Sequence, residues 1–231
     1  YYYFAWANRL ITYYLKTSRT NIALYEVQNM LKEAQKEDDK TGLSRCYNIM
    51  SQIYTIKRFD SMAFEWRLKE IELTEKYNIE NYNISQTYAQ IANYYISQKK
   101  QKEALRAVEK AISTANSSTQ QISAKLEYVN YYSKFGDFQA AEKILKECQI
   151  AFEQDKRLES IKKRLYNIEC LYYQQTRQYQ KALEAAEMQE KEEHRLSESI
   201  LSSSHYRTQG EIYQKMGNMN MAVKYLQMYI N

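Results

Sequence analysis

The chain contains no proline and only four glycines among its 231 residues. Because tight turns between strands depend on these two residue types, such a composition excludes an all-β protein of this length. No apolar run approaches the roughly 18 residues that a membrane-spanning helix needs, so we expect no membrane insertion by this segment. The composition therefore predicts an all-α protein.

Cysteine and histidine are also scarce. Cys46, Cys148 and Cys170 are an odd number without paired spacing, so we expect them to be reduced and buried rather than joined in disulfides. His194 and His205 lie eleven residues apart, not four, and no third metal ligand is evident. We therefore expect no enzyme activity, no metal and no cofactor.

The stretch Ser85 to Ala111 shows what the chain is built from. Apolar residues recur there at the spacing of one helix face, and after a short polar stretch the same spacing begins again. These positions are Tyr88, Ile91, Ala92 and Tyr95 before the break, and Ala104, Val108 and Ala111 after it. The pattern predicts two amphipathic helices joined by a short turn. A hairpin this small cannot bury its apolar stripe alone and needs similar neighbours.

The hairpin is repeated along the chain at intervals of 37 to 41 residues. Each unit has a tyrosine at the same place: Tyr14, Tyr54, Tyr95, Tyr132, Tyr173 and Tyr213. Three residues earlier stand mostly small residues: Ile11, Ser51, Ala92, Val129, Cys170 and Gly210. Nine residues after the tyrosine, or eight in the second unit, stand Ala23, Met62, Ala104, Ala141, Ala182 and Ala222. Six tyrosines in one register indicate a true repeat.

These residues resemble the tetratricopeptide repeat. The small residue, tyrosine and alanine of that family appear in order in the third unit, at Ala92, Tyr95 and Ala104. The resemblance implies an all-α, right-handed α-solenoid of about six helical hairpins. Two departures are the longer repeat, about 40 residues against about 34 in the family, and the missing inter-repeat proline.

We expect a single repeat domain over residues 1–231. Its units are predicted at 1–41, 42–81, 82–117, 118–154, 155–195 and 196–231. In the second unit, which we interpret as one residue shorter at its turn, Phe59, Met62 and Trp66 have the spacing of a buried stripe. The chain starts YYYFAW without methionine and ends within a helical pattern, so we expect a piece of a longer protein. The aromatic start either covers the open end of the core, which we favour, or docks a preceding helix.

Asparagine is over-used at positions that the resemblance places on the concave face. They lie three before or one after the small residue, and the four candidate peptide-binding residues are Asn48, Asn93, Asn130 and Asn167. An asparagine amide offers a donor and an acceptor, which match the backbone of an extended peptide. The alternative is that asparagine is only a tolerated polar residue on an exposed face.

The same face is rich in basic residues. Six basic residues and one acidic residue give it a formal excess of 6 − 1 = +5, and we take Arg45, Lys134, Arg164 and Arg207 as candidate ligand-orienting residues. Such an excess favours an acidic peptide or a terminal carboxylate. Nucleic acid is not expected to bind this segment, because aromatic residues are not interleaved with the basic ones as a stacking platform requires.

Two functions remain open. The first is a peptide- or protein-binding module that acts as the sensor or scaffold region of a bacterial regulatory protein. The second is a structural scaffold whose tyrosines and open ends mediate self-association, for example as a homodimer, with no ligand in the groove. The compartment stays open between periplasm and cytoplasm, and we favour the periplasm.

Overall fold

In the computed structural model, the backbone is described for residues 2–196 and 204–230, and side chains for 6–192 and 205–230. Over these ranges the chain forms twelve α-helices, one short 3₁₀ helix and no strand. The helices are α1 Tyr2–Lys16, α2 Thr20–Lys36, α3 Lys40–Ile56, α4 Asp60–Tyr77, α5 Ile84–Ser97, α6 Gln101–Ser113, α7 Ser118–Phe135, α8 Phe138–Gln154, α9 Lys162–Gln175, α10 Tyr179–Leu196, α11 Ser204–Lys215 and α12 Met219–Ile230. The 3₁₀ helix, Lys156–Ile161, precedes α9. The prediction of an all-α repeat fold is confirmed.

The turn inside each hairpin has one geometry throughout. The carbonyl oxygen of every repeat tyrosine accepts a hydrogen bond from the backbone N–H five residues later, at 2.8 to 3.0 Å. The residue four after each tyrosine has a positive φ: Ser18, Arg58, Lys99, Gly136, Arg177 and Gly217. This combination ends a helix by satisfying its last carbonyl groups. Each repeat tyrosine predicted from the sequence is therefore followed by the same backbone turn, which ends the first helix of its hairpin.

The small-residue positions are buried where two helices approach each other. All six residues three before the repeat tyrosines are buried, from Ile11 to Gly210. At Gly210 an added Cβ would lie 2.8 Å from Cγ of Leu226, so α11 and α12 approach too closely there for a larger residue without a shift. The repeat tyrosines themselves are half-buried and fill the space beside these contacts.

The predicted register of the second unit is wrong by one residue. Met62 is 42% exposed and Phe59 is also exposed, whereas Ala63 is 1% exposed and lies nine residues after Tyr54, as in the other units. The buried stripe of α4 contains Ala63, Arg67, Glu70, Ile71 and Thr74. Of the predicted stripe, Phe59 and Met62 are exposed and only Trp66 packs against the core, where it is partly buried. The pattern was misleading because two residues of the true buried face are charged.

The chain divides into two compact units, residues 1–107 and 108–231. The core of the first is formed around Ile11, Val27, Met30, Cys46 and Ile53. The second has a cluster around Leu126, Val129, Leu145 and Ile168 and another around Ala182, Leu183 and Ile212. A single domain over 1–231 stays a prediction, as does the right-handed superhelix. The predictions for residues 1–5 and for His194 lie outside the described side chains.

Neither a membrane-spanning helix nor a metal-binding cluster is present in the described residues. None of the described helices is long and apolar enough to cross a membrane. Within the same part of the chain, no group of three or more His, Cys, Asp or Glu side chains is placed to hold a metal ion.

Replacing Ala104 with leucine is expected to lower the free energy of unfolding by about 1–3 kcal/mol, because three extra carbons must enter a fully buried position on α6. Urea denaturation followed by circular dichroism measures the change. Lys102→Leu introduces the same side chain at an exposed position of α6 and is expected to change stability by less than about 0.5 kcal/mol. Equal effects of the two substitutions would contradict the assigned register.

Candidate functional site

Residues 1–107 carry two adjoining polar pockets. The smaller, of roughly 370 Å³, lies between α3, α4 and α5, and we call it the amide pocket because five amide side chains line it: Asn48, Gln52, Asn83, Gln86 and Gln90. The larger, of roughly 700 Å³, is bounded by α1, α3 and the connector 78–83. Asn48, Gln52 and Asn83 line both pockets, so the two form one polar groove along α3.

The floor of this groove holds a buried carboxylate. Glu70, on α4, is 1% exposed. Its oxygens accept hydrogen bonds from Nδ2 of Asn48 at 3.1 and 3.2 Å, from Nδ2 of Asn81 at 2.9 Å and from Oγ1 of Thr87 at 3.4 Å. Burial raises the pKa of Glu70, and these hydrogen bonds oppose the rise because they favour the charged form. The carboxylate thereby ties α3, α4, α5 and the connector together.

A buried guanidinium lies one helical turn before it. Arg67 is 7% exposed, and its Nε donates to Oε1 of Gln90 at 2.7 Å while its Nη2 donates to Oγ1 of Thr55 at 2.6 Å. The Thr55 hydroxyl in turn donates to the carbonyl of Ser51 at 2.8 Å, which fixes its orientation. Burial lowers the pKa of Arg67, while the charges of Glu70 and Asp60 act in the opposite direction. The two direct hydrogen-bond partners of the guanidinium, Gln90 and Thr55, are both neutral.

Asn48, a predicted ligand residue, is part of this network. Its Nδ2 donates to Glu70, and its Oδ1 accepts from Nε2 of Gln52 at 2.6 Å. The predicted Arg45 is exposed and lines the larger pocket, where Glu70 and Glu80 also lie. The predicted Asn93 is half-buried and lines a third pocket, of roughly 270 Å³, together with Arg67. All three predicted residues of this unit thus line pockets.

The predicted ligand residues within 108–231 have different surroundings. Asn130 is half-buried on α7, whereas Asn167 on α9 and Lys134 near the end of α7 are exposed. The other two are paired with acidic residues, Arg164 with Glu127 and Arg207 with Glu211, the latter at 2.8 Å. Glu127 is buried and was not counted in the sequence-based charge of the face. The local basic excess is therefore smaller than the sequence count of +5.

Sequence reasoning missed Arg67, Glu70 and the glutamines of the amide pocket. The resemblance assigns the groove to the first helix of each hairpin, but Arg67 and Glu70 belong to α4, a second helix. A signal was available, because Ala63, Arg67, Glu70, Ile71 and Thr74 have the spacing of one helix face. Two charges on a buried face usually indicate a polar site.

Comparisons with known proteins agree with this architecture. No protein-family profile matches the sequence, and no curated protein matches it. Among solved structures, the apo form of RapI has a TM-score of 0.71 at 15% identity, over 99% of this chain and 82% of that one. A tetratricopeptide repeat protein from Parabacteroides merdae has a TM-score of 0.65 at 16% identity, over 99% and 84%. The chain therefore has a tetratricopeptide-repeat-like fold.

This tetratricopeptide-repeat-like fold is also similar to a structure that contains a bound ligand. NprR in complex with its cognate peptide NprX has a TM-score of 0.71 at 14% identity, and the match covers 96% of this chain and 64% of NprR. The chain thus spans slightly less than two thirds of NprR. At this level of identity the likeness shows the fold, and the residues of the groove carry any conclusion about binding.

Proposed function

We propose that the protein is a peptide- or protein-binding repeat module, and that residues 1–107 carry a peptide site in the polar groove. The observation that carries the proposal is the amide pocket, where five Asn and Gln side chains converge. An amide group offers N–H donors and a carbonyl acceptor, which suit the N–H and C=O groups of a peptide backbone. The amide of Asn48 and the oxygen of Gln90 are already engaged within the network, so the ligand contacts fall to the remaining amide groups.

The groove is held in shape before any ligand arrives. Asn48 is fixed by Glu70 and Gln52, and Gln90 is fixed by Arg67. A site whose side chains are already ordered loses less conformational entropy on binding, and so retains more of the interaction energy as affinity. This favours a ligand site over a surface with incidental polar residues.

Solved structures of similar fold support the same function. NprR was solved with its cognate peptide NprX, and a Rap protein was solved with the competence and sporulation factor. By analogy of fold, we propose a sensor or scaffold role within a bacterial regulatory protein. For residues 108–231, binding by Asn130, Asn167, Lys134, Arg164 and Arg207 stays a prediction, and self-association stays the alternative.

An array of random-sequence peptides, probed with the labelled protein, tests the site. We expect Gln52→Ala combined with Gln86→Ala to weaken the peptides that bind the wild type by about tenfold, because two neutral hydrogen bonds contribute about 1–3 kcal/mol. Both side chains are exposed and line the amide pocket, so their loss leaves the core intact.

The matched control is Gln28→Ala combined with Gln35→Ala. It makes the same chemical change at two exposed positions of α2, which do not line either pocket. Wild-type binding is expected for this control. If no peptide binds the wild type, or if both double variants bind equally well, the groove is not a peptide site. Sedimentation of the free protein then tests the self-association alternative.

A further inference from the structure

Arg67 is a buried cation that faces open space. The residue is 7% exposed, and it lines both the amide pocket and the third pocket, beside Asn93. Two of its guanidinium nitrogens are engaged, by Gln90 and Thr55, whereas Nη1 has no hydrogen-bond partner among the described residues. The guanidinium is therefore oriented by neutral groups and retains one unused edge.

The charge of Arg67 also lacks a direct counter-ion. No carboxylate of the described residues lies within ion-pair distance of it; the nearby Glu70 is instead held by Asn48, Asn81 and Thr87. A buried charge without a direct partner is unfavourable, and the lowering of the Arg67 pKa by burial is offset only in part by the charges of Glu70 and Asp60. An anion that entered the amide pocket would relieve this cost, so the pocket is suited to an anionic group.

Resting on the proposed function, we infer that Arg67 is the specificity-determining residue of the groove and receives one carboxylate of the peptide ligand. A planar carboxylate suits a guanidinium edge, and Gln90, whose oxygen accepts a hydrogen bond from Arg67, lines the same pocket. A dianion such as a phosphate is disfavoured, because the buried carboxylate of Glu70 lies one turn away on α4.

This assignment keeps the acidic ligand predicted from the sequence but gives it a different binding residue. The sequence-based prediction rested on basic residues of the first helices, of which Arg45 and Lys134 are exposed and Arg164 and Arg207 are already paired with carboxylates. An exposed or paired basic residue gains little from a further anion, since water or the existing partner already stabilises its charge. Arg67 alone among these five combines burial with a missing counter-ion.

The test uses the peptides that the wild-type protein binds on the array, each remade in neutral form. In one set, every Asp and Glu is replaced by Asn or Gln; in the other, the C-terminal carboxylate is amidated. We expect one of the two changes to weaken binding to the wild type by about tenfold or more, as loss of a charge-assisted hydrogen bond requires. The set that responds tells whether the carboxylate is a side chain or the C-terminus.

The protein variants assign this effect to Arg67. In Arg67→Gln the preference for the acidic peptide should fall to less than about threefold, whereas Arg106→Gln, which removes an exposed charge of α6 that lines none of the three pockets, should keep it. Arg67→Lys retains the charge without the planar donors and should give an intermediate preference. This variant replaces Arg67→Gln in the test if circular dichroism shows that Arg67→Gln does not fold.

The outcomes separate the two proposals. Acidic and neutral peptides that bind the wild type equally well would overturn the role of Arg67 and leave the peptide site standing. A preference that persists in both Arg67 variants would also overturn it, and would place the carboxylate elsewhere. Complete absence of peptide binding would overturn the proposed function itself.

Discussion

Arg164→Ala is expected to lower the free energy of unfolding by about 3–5 kcal/mol. Glu127 is 1% exposed, and the one donor to its carboxylate among the described side chains is Nη2 of Arg164. Without that donor, a buried negative charge between α7 and α9 has no partner, which is far more costly than the loss of a surface contact. Chemical denaturation followed by circular dichroism measures the change.

Arg207→Ala is the matched control. It removes an arginine of a first helix that is also paired with a glutamate, but Arg207 and Glu211 are both largely exposed. Solvent screens such a pair, so we expect a change of less than about 1 kcal/mol. Glu127→Gln should recover part of the stability lost in Arg164→Ala, because it removes the unpaired charge. Equal effects of the two arginine substitutions would show that Glu127 is not buried as described.

The three cysteines are expected to react about a thousandfold more slowly in the native protein than in the denatured protein. All three are buried, as predicted from the sequence, and all three are free thiols. Burial raises the pKa of Cys46 to about 12 and that of Cys148 to about 11, so very little of the reactive thiolate forms near neutral pH. An aromatic disulfide reagent, which releases a coloured thiol on reaction, measures the rate with and without denaturant.

Ser113→Cys supplies the control for this measurement. Ser113 is an exposed residue near the end of α6, so a cysteine there should react at close to the rate of an unfolded thiol. The variant protein should thus show one fast and three slow thiols. Fast labelling of Cys148 or Cys170 in the wild type would contradict their place in the hydrophobic core.

The fold could be predicted because the repeat is carried by residues whose role is local and steric. A half-buried tyrosine, a buried and mostly small residue three before it and an alanine nine after it recur in each hairpin. Even with no proline and four glycines, this register places the helices of all six units. The second unit was misread by one residue, because Arg67 and Glu70 interrupt the apolar stripe that identifies a buried face.

The candidate site could be predicted only in part. Asn48, Arg45 and Asn93 were selected by their position within a repeat, and all three line pockets; their binding of a peptide stays a prediction. Their partners could not be found in the same way. Glu70 lies 22 residues from Asn48, and Glu127 lies 37 residues from Arg164, so neither pairing follows from the spacing along one helix. Such pairings depend on how hairpins pack.

The positive-φ turns have a consequence for how the chain folds. Four of the six hairpin turns place a residue with a side chain, Ser18, Arg58, Lys99 or Arg177, in the left-handed region, which costs such residues about 1–2 kcal/mol relative to the right-handed one. In an isolated hairpin, this conformational cost opposes formation of the turn, and no contact with a neighbouring hairpin offsets it. We therefore expect helix pairing in these units to depend on contacts with neighbouring hairpins, and the turns at Gly136 and Gly217 to form first. Both belong to residues 108–231, so the earliest hairpins on the folding pathway are expected in the second half of the chain.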